Sequence, residues 1–280
     1  MKLALVLLSA GLAFVLSGCA AAPPEKGATH ADVPGALEEI APGMLRGYID
    51  IEEQLDSTVF VLPSPPEDSA LQTLDSAWAD RMQTLRGTSR YELATLDADL
   101  RFPVPASVFS CALGIEISEQ STPSLYMLLW RTMTDIGLSP YAAKNAYGRE
   151  RPFMTREEPV CTPSDEEALR GDPSYPSGHT AIGWGWSLIL TELAPERAEA
   201  LLARGRAFGE SRNVCNAHWY SDVVAGRMTG AAAVARLHSE PEFLAAMEAA
   251  REDIARAREA LARPTRDCAA ESAALATPLY

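Results

Sequence analysis

Residues 211–222 read SRNVCNAHWYSD, and how this stretch folds decides what the chain is built around. Taken as one helix, it lines up Ser211, Cys215, His218 and Asp222 in a single stripe at spacings of four, three and four. Taken as two helices, Asn216 ends the first and Ser221 caps the second, with His218 on the turn between them. In either case the His218 and Asp222 side chains can meet. A histidine on such a stripe is usually a packed core residue, so its meaning depends on what other segments bring to it.

The segments around it repeat their apolar residues at helical spacing. Leu74, Trp78, Met82 and Leu85 form one such series, and residues 243–262 another. Helices are predicted from Asp68 or Ser69 to about Leu85, closed by Gly87, and then over 91–100, 107–117 and 122–136. A turn at 137–140 precedes a helix carrying Lys144. Further helices are predicted over 180–193, 195–208, 222–237 and 241–263. The 222–237 helix has a small-residue face at Gly226 and Gly230, where another helix can approach closely. No run alternates as a half-buried strand does. The chain therefore reads as all-α, with a single helical domain. Between Arg151 and Ser177 stand five prolines, Pro152, Pro159, Pro163, Pro173 and Pro176, which suggests a long functional loop.

The N-terminus is of a different kind. MKLALVLLSAGLAFVLSGC places Lys2 before an apolar run too short to span a bilayer, which needs about 20 apolar residues, so it reads as a secretory signal. Its ending, Leu16-Ser17-Gly18-Cys19, resembles the lipobox of bacterial lipoproteins, which implies a lipid carried by Cys19. The alternative is an ordinary signal cut at residues 20–22. The layout is then a signal peptide at 1–18, a flexible tether at 19–35, an all-α domain at 36–263 and a loose tail at 264–280. The expected location is the periplasm, with the membrane as a partner through the N-terminal lipid.

The formal net charge is −14, and losing residues 1–18 removes only Lys2, which makes the balance more acidic still. Such a surface argues against nucleic acid as a partner. It also makes local cations informative. Lys2, Lys26 and Lys144 are the only lysines, so Lys144 is the one lysine of the domain, beside Arg149 and Arg151 in KNAYGRERPF. Of five cysteines, Cys111, Cys161, Cys215 and Cys268 remain if Cys19 carries lipid. An even number in an oxidising compartment suggests two disulfides, with three connectivities open.

Three separated segments carry groups suited to binding an oxyanion. Lys144 and Arg151 stand about two helical turns apart, with Pro152 forcing Arg151 out of helical geometry, so both can converge on one ligand. Pro176-Ser177-Gly178-His179 precedes a predicted helix, offering backbone N–H groups, a hydroxyl and the helix dipole to an anion. The third segment holds Arg212, His218 and Asp222.

Together they resemble the three-part signature of the type 2 phosphatidic acid phosphatase superfamily. The matching positions are Lys144, Arg151, Pro152, Pro176, Ser177, Gly178, His179, Ser211, Arg212, His218 and Asp222. YELATLDADL, FSCALGIEIS, AAKNAYGRERPF, SYPSGHTAIGW and SRNVCNAHWYSDVVAGR resemble the secreted class A acid phosphatases of bacteria, over about residues 45–255.

The resemblance implies an all-α fold and an acid phosphatase hydrolysing a broad range of small phosphomonoesters through a phosphohistidine. By the same resemblance, Lys144, Arg151, Arg212, Ser177 and Gly178 bind the phosphoryl group. His218 attacks it, Asp222 fixes the tautomer of His218, and His179 protonates the leaving group. No cofactor or metal is expected, because the chain lacks a clustered His-carboxylate motif. The expected pH profile is a bell in the mildly acidic range, with His218 neutral and His179 protonated in the free enzyme. Tyr175 and Trp219 are candidates to line the pocket, and Trp184 and Trp186 to pack in the core. The competing readings are a lipid phosphate phosphatase, a vanadium haloperoxidase sharing the oxyanion pocket, and a phosphate-binding lipoprotein. A homo-oligomer stays open.

Overall fold

Ser69, Thr88 and Ser177 each sit in extended backbone one residue before a helix and accept a backbone N–H from its first turn. The computed structural model describes residues 38–156 and 158–280, so the predicted signal, the tether at 19–35 with the lipidation residue Cys19, and the first two residues of the predicted domain lie outside the described residues. Residues 38–280 form one compact unit.

Its helices are α1 (Ala70–Gln83), α2 (Ser89–Asp97), α3 (Ser110–Leu113), α4 (Pro123–Leu138), α5 (Tyr141–Tyr147) and α6 (Pro152–Arg156). They continue with α7 (Glu166–Arg170), α8 (Gly178–Leu193), α9 (Ala198–Val214), α10 (Tyr220–Leu237), α11 (Pro241–Glu259) and α12 (Cys268–Leu275). A small antiparallel pair, β1 (Glu39–Ala41) and β2 (Met44–Leu45), precedes them. The all-α expectation holds, with that hairpin as its one departure.

The centre of the fold is α8, the most apolar of the long helices, packed between α9, α10 and α4. Close packing here depends on small residues. A methyl group on Gly226 of α10 would stand 2.5 Å from the Ser177 carbonyl oxygen, and one on Gly230 would stand 2.4 Å from that of Ala181. The small face expected on the 222–237 helix thus lies directly against the start of α8, which sets the Ser177 turn within reach of α10. Trp186 is fully buried among α4 residues and donates its indole N–H to the Leu129 carbonyl at 3.1 Å.

The stretch 211–222 is two helices. Asn216 adopts a left-handed backbone (φ 57°), which breaks the α9 spiral after Val214. The cap of α10 is Trp219 and not Ser221: the Asp222 carboxylate reaches back to accept the Trp219 backbone N–H at 2.7 Å. His218 therefore sits on the turn, with Asp222 fixed in the first turn of the next helix.

Two regions differ from expectation. The proline-rich stretch is shorter as a loop than its composition suggests, because α6 and α7 lie within it and the Cys161–Cys215 disulfide ties it to the end of α9. Residues 264–280 are no loose tail. Asp267 caps α12 through two backbone N–H groups, Cys268 is bonded to Cys111, and Leu279 is buried. The tail has a partner that sequence spacing cannot reveal, since the two cysteines are 157 residues apart.

Candidate active site

The turn before α10 and the turn before α8 are joined by backbone: Ser177 donates its N–H to the Asp222 carbonyl at 3.0 Å. This brings two of the three predicted segments together. The third arrives through α6, whose start places Arg151 against the same turn. Arg151 Nη1 donates to the Ala217 carbonyl at 2.9 Å and to His218 Nε2 at 3.0 Å.

The Arg151 contact fixes the chemistry of His218. A guanidinium has donors only, so Nε2 presents its lone pair and Nδ1 carries the proton. Nδ1 faces Asp222 Oδ2 and Ser174 Oγ, each at 3.4 Å, and Ser174 itself donates to Asp222 Oδ2 at 2.5 Å. Arg149 holds the other carboxylate oxygen, Oδ1, at 2.6 Å, and pairs with buried Asp75 on α1. Asp222 is thus locked from four sides, counting its bond to Trp219. Ser174, Arg149 and Asp75 belong to this arrangement and were missed as functional groups in the sequence. Arg149 stood out in the sequence only as a cation beside Lys144, and Ser174 only as part of the SYPSGHTAIGW stretch.

His179, in the first turn of α8, is partly exposed and donates Nε2–H to the Ala98 carbonyl at 3.0 Å, leaving Nδ1 as the nitrogen able to exchange a proton. Ser177 Oγ accepts from the Thr180 N–H and hydroxyl, so its own proton stays available to donate. Lys144 is buried at the end of α5. Its ammonium reaches Asp172 Oδ2 at 3.0 Å and also the Pro173 carbonyl. Arg151 reaches the same Asp172 oxygen at 2.7 Å. Arg212, on the last turn of α9, is 2 % exposed, and its Nε and Nη1 have no partner among the described residues.

Several of these groups titrate away from their ordinary values. Burial is the leading cause in each case, and the neighbouring cations add to it. Lys144 is pulled down to about 8 and Arg212 to about 9, both by burial and then by Arg151. His218 lies well below an ordinary histidine because of burial, then Arg151, Lys144 and Arg212. His179 is lowered in the same way, with Arg212 the strongest neighbour. A neutral His218 matches the sequence expectation. A protonated His179 in the free enzyme does not, because burial disfavours its charged form and Arg212 repels a proton from it.

A cavity of about 380 Å³ opens onto these groups, lined by Lys144, Arg151, Asp172, Gly178, His179 and His218. Ser177, Arg212 and Asp222 are buried beyond its lining. Apart from Arg101, its other lining is mostly apolar, with Leu100, Phe102, Trp130, Met133, Tyr141 and Ile182. Phe102 stacks on Trp130 with centroids 4.8 Å apart. The aromatic candidates read from sequence are elsewhere. Tyr175 donates to the Leu62 carbonyl and Trp219 to the Glu150 carbonyl, both buried away from the cavity. A larger cavity of about 580 Å³, between α9 and the C-terminal residues, touches none of the predicted site residues. Among the described residues, no group of three or more His, Cys, Asp or Glu is placed to hold a metal.

An all-α body that brings Lys144, Arg151, His179 and His218 to one cavity, with Arg212 buried beyond its lining, is the arrangement the three-segment signature implies. Residues 125–241 match the model of the PAP2 superfamily. The chain is 41% identical over 207 residues to the acid phosphatase of Zymomonas mobilis, covering 72% of this chain and 77% of that protein. It is 40% identical over 210 residues to the non-specific acid phosphatase of Providencia stuartii (75% and 85% covered). Against the non-specific acid phosphatase of Salmonella typhimurium it is 39% identical over 204 residues (72% and 82%). The chain belongs to the PAP2 superfamily and, within it, to the bacterial class A acid phosphatases; it is a phosphatase.

Proposed function

We propose that the enzyme hydrolyses a broad range of small phosphomonoesters, without a metal, through a phosphohistidine on His218. The observation that carries this reading is the Arg151 Nη1 to His218 Nε2 contact, which leaves Nε2 with a lone pair directed toward the cations. Lys144, Arg151 and Arg212, with the Ser177 hydroxyl and the Gly178 N–H at the start of α8, hold the phosphoryl oxygens. As the phosphate takes over the Arg151 donor, Nε2 is released to attack phosphorus in line with the ester oxygen. The P–O bond breaks as the P–N bond forms. Asp222 stabilises the Nδ1–H while positive charge grows on the ring. His179 Nδ1 gives a proton to the leaving alkoxide, then takes one from the water that attacks the phosphohistidine.

The lowered pKa of His179 comes from burial first and from Arg212 next. A bound phosphate brings negative charge beside it and restores the proton, so His179 is an acid in the complex. Positive charge already present does the work a metal would otherwise do in neutralising the phosphoryl oxygens. The apolar half of the cavity suits an aryl or other apolar alcohol as the leaving group. Two disulfides favour an oxidising compartment, in keeping with a periplasmic enzyme anchored through a lipid on Cys19.

The test uses a chromogenic aryl phosphate with excess chelator and quenching in alkaline detergent in mid-turnover. Chelator-resistant activity, with acid-labile phosphate on the wild-type protein and none on His218→Ala, is the expected result. A His218→Ala enzyme that still turns over, or a wild type silenced by chelator, overturns the reading.

A further inference from the structure

Asp172 is the one carboxylate among the cavity's lining residues, and its position is unusual. A single oxygen, Oδ2, receives charge-assisted bonds from Lys144 Nζ (3.0 Å) and Arg151 Nη2 (2.7 Å). Those are two of the three cations assigned to the substrate phosphate, and the bonds are of the kind a phosphate oxygen makes.

The carboxylate is not needed to hold these cations in place. Arg151 is anchored by backbone carbonyls on both sides, Nε to Asp172 at 2.8 Å and Nη1 to Ala217 at 2.9 Å. Lys144 is anchored by the Pro173 carbonyl. The side chain that makes the additional bonds is also the least buried of the group: Asp172 is 32% exposed, whereas Lys144 and Arg151 are 2% and 1% exposed. It follows α7 directly, between Gly171 and Pro173, and can turn toward water at little desolvation cost.

We infer that Asp172 is a built-in competitor for the phosphate subsite: its carboxylate bridges Lys144 and Arg151 and must be displaced by the substrate's phosphoryl oxygen. This rests on the reading that Lys144 and Arg151 bind phosphate. The competitor weakens substrate and product alike. It keeps the two cations neutralised between turnovers and returns to them as inorganic phosphate leaves, so a tightly binding cradle does not become trapped with product. Carboxylate and phosphate cannot share the bridging position, since like charges set side by side cost several kcal/mol.

The experiment measures competitive inhibition by inorganic phosphate, together with KM and kcat, for wild type, Asp172→Asn, Asp172→Ala and Lys144→Ala. Both Asp172 variants are expected to bind inorganic phosphate at least about tenfold more tightly and to lower KM. Their kcat rises less or falls as product release slows. A residue that merely positions the cations would give the opposite sign, so unchanged or weaker phosphate binding in both variants overturns the proposal. Lys144→Ala separates the two levels of inference. If it leaves the phosphate inhibition constant unchanged, the assignment of the phosphate cradle is what has failed. If it weakens phosphate while the Asp172 variants do not tighten it, only the competitor is wrong.

Discussion

Arg204 and Arg212 lie on the same helix, about two turns apart, and both are 2% exposed. Their surroundings are opposite. Arg204 grips Asp97 of α2 with both terminal nitrogens, has Glu271 of α12 within 3.5 Å, and its pKa rises because, against a large cost of burial, Asp97 and Glu271 together prevail. Arg212 has two donors without a partner, and its pKa falls to about 9. One buried arginine joins three helices. The other is held charged and unsatisfied by the rest of the fold, the state in which an incoming anion gains most from it. The difference teaches how to separate structural from functional charge: by whether the partner is already present.

Matched substitutions can break this comparison. Arg204→Met leaves Asp97 buried without its main counter-ion, so thermal or urea unfolding should show a loss of about 3–5 kcal/mol. Activity of the protein that remains folded should stay within about threefold of wild type, since Arg204 is remote from the cavity. A stable Arg204→Met protein would mean that Arg90, also close to Asp97, suffices.

Arg212→Met should behave the other way round. If its open donors bind the phosphoryl group as proposed, their loss should lower kcat/KM by about 10²–10³-fold. Stability should not fall, because a buried cation without a partner contributes nothing favourable to the fold. Inorganic phosphate should raise the melting temperature of wild type and Arg204→Met, and not that of Arg212→Met. A destabilised Arg212→Met protein with normal kcat/KM would reverse the assignment.

The smallest effect sharpens the electrostatic side. His179 and His218 titrate below the ordinary histidine value in the folded protein, while in the unfolded chain they titrate near ~6.5. Below that pH the unfolded chain binds more protons. Their contribution to stability is therefore full above ~6.5 and declines as pH falls toward the folded values. Melting temperature followed from pH 7.5 downward should drop less steeply in His218→Ala than in wild type. Equal slopes would show that His218 is not held neutral.

The segments that were legible in the sequence are those whose chemistry is local. Pro176-Ser177-Gly178-His179 announces a helix start because a hydroxyl cap and a glycine are needed within the same turn. Lys144 stands out because it is the only lysine between the tether and the C-terminus. The Asn216 break was readable as one of two alternatives, since asparagine tolerates the left-handed backbone. What escaped notice was non-local. Asp172 is one of 38 acidic residues, and nothing in its neighbours tells it from the others. Phe102 and Trp130 form the apolar wall from a loop and from α4. The C-terminal helix looked loose because the cysteine that holds it is at the other end of the domain.

By itself, the sequence determined the helical class, the family and the residue types proposed to meet a phosphate, because periodicity, caps and motif spacing act over a few turns. Only the tertiary structure decided which buried charges are paired and which are left open, which cysteines bond, and which aromatic residues face the cavity. Those depend on contacts between segments distant in the chain, some across more than a hundred residues, such as Asp97 with Arg204 and Asp75 with Ser221, where chain order carries no record of distance.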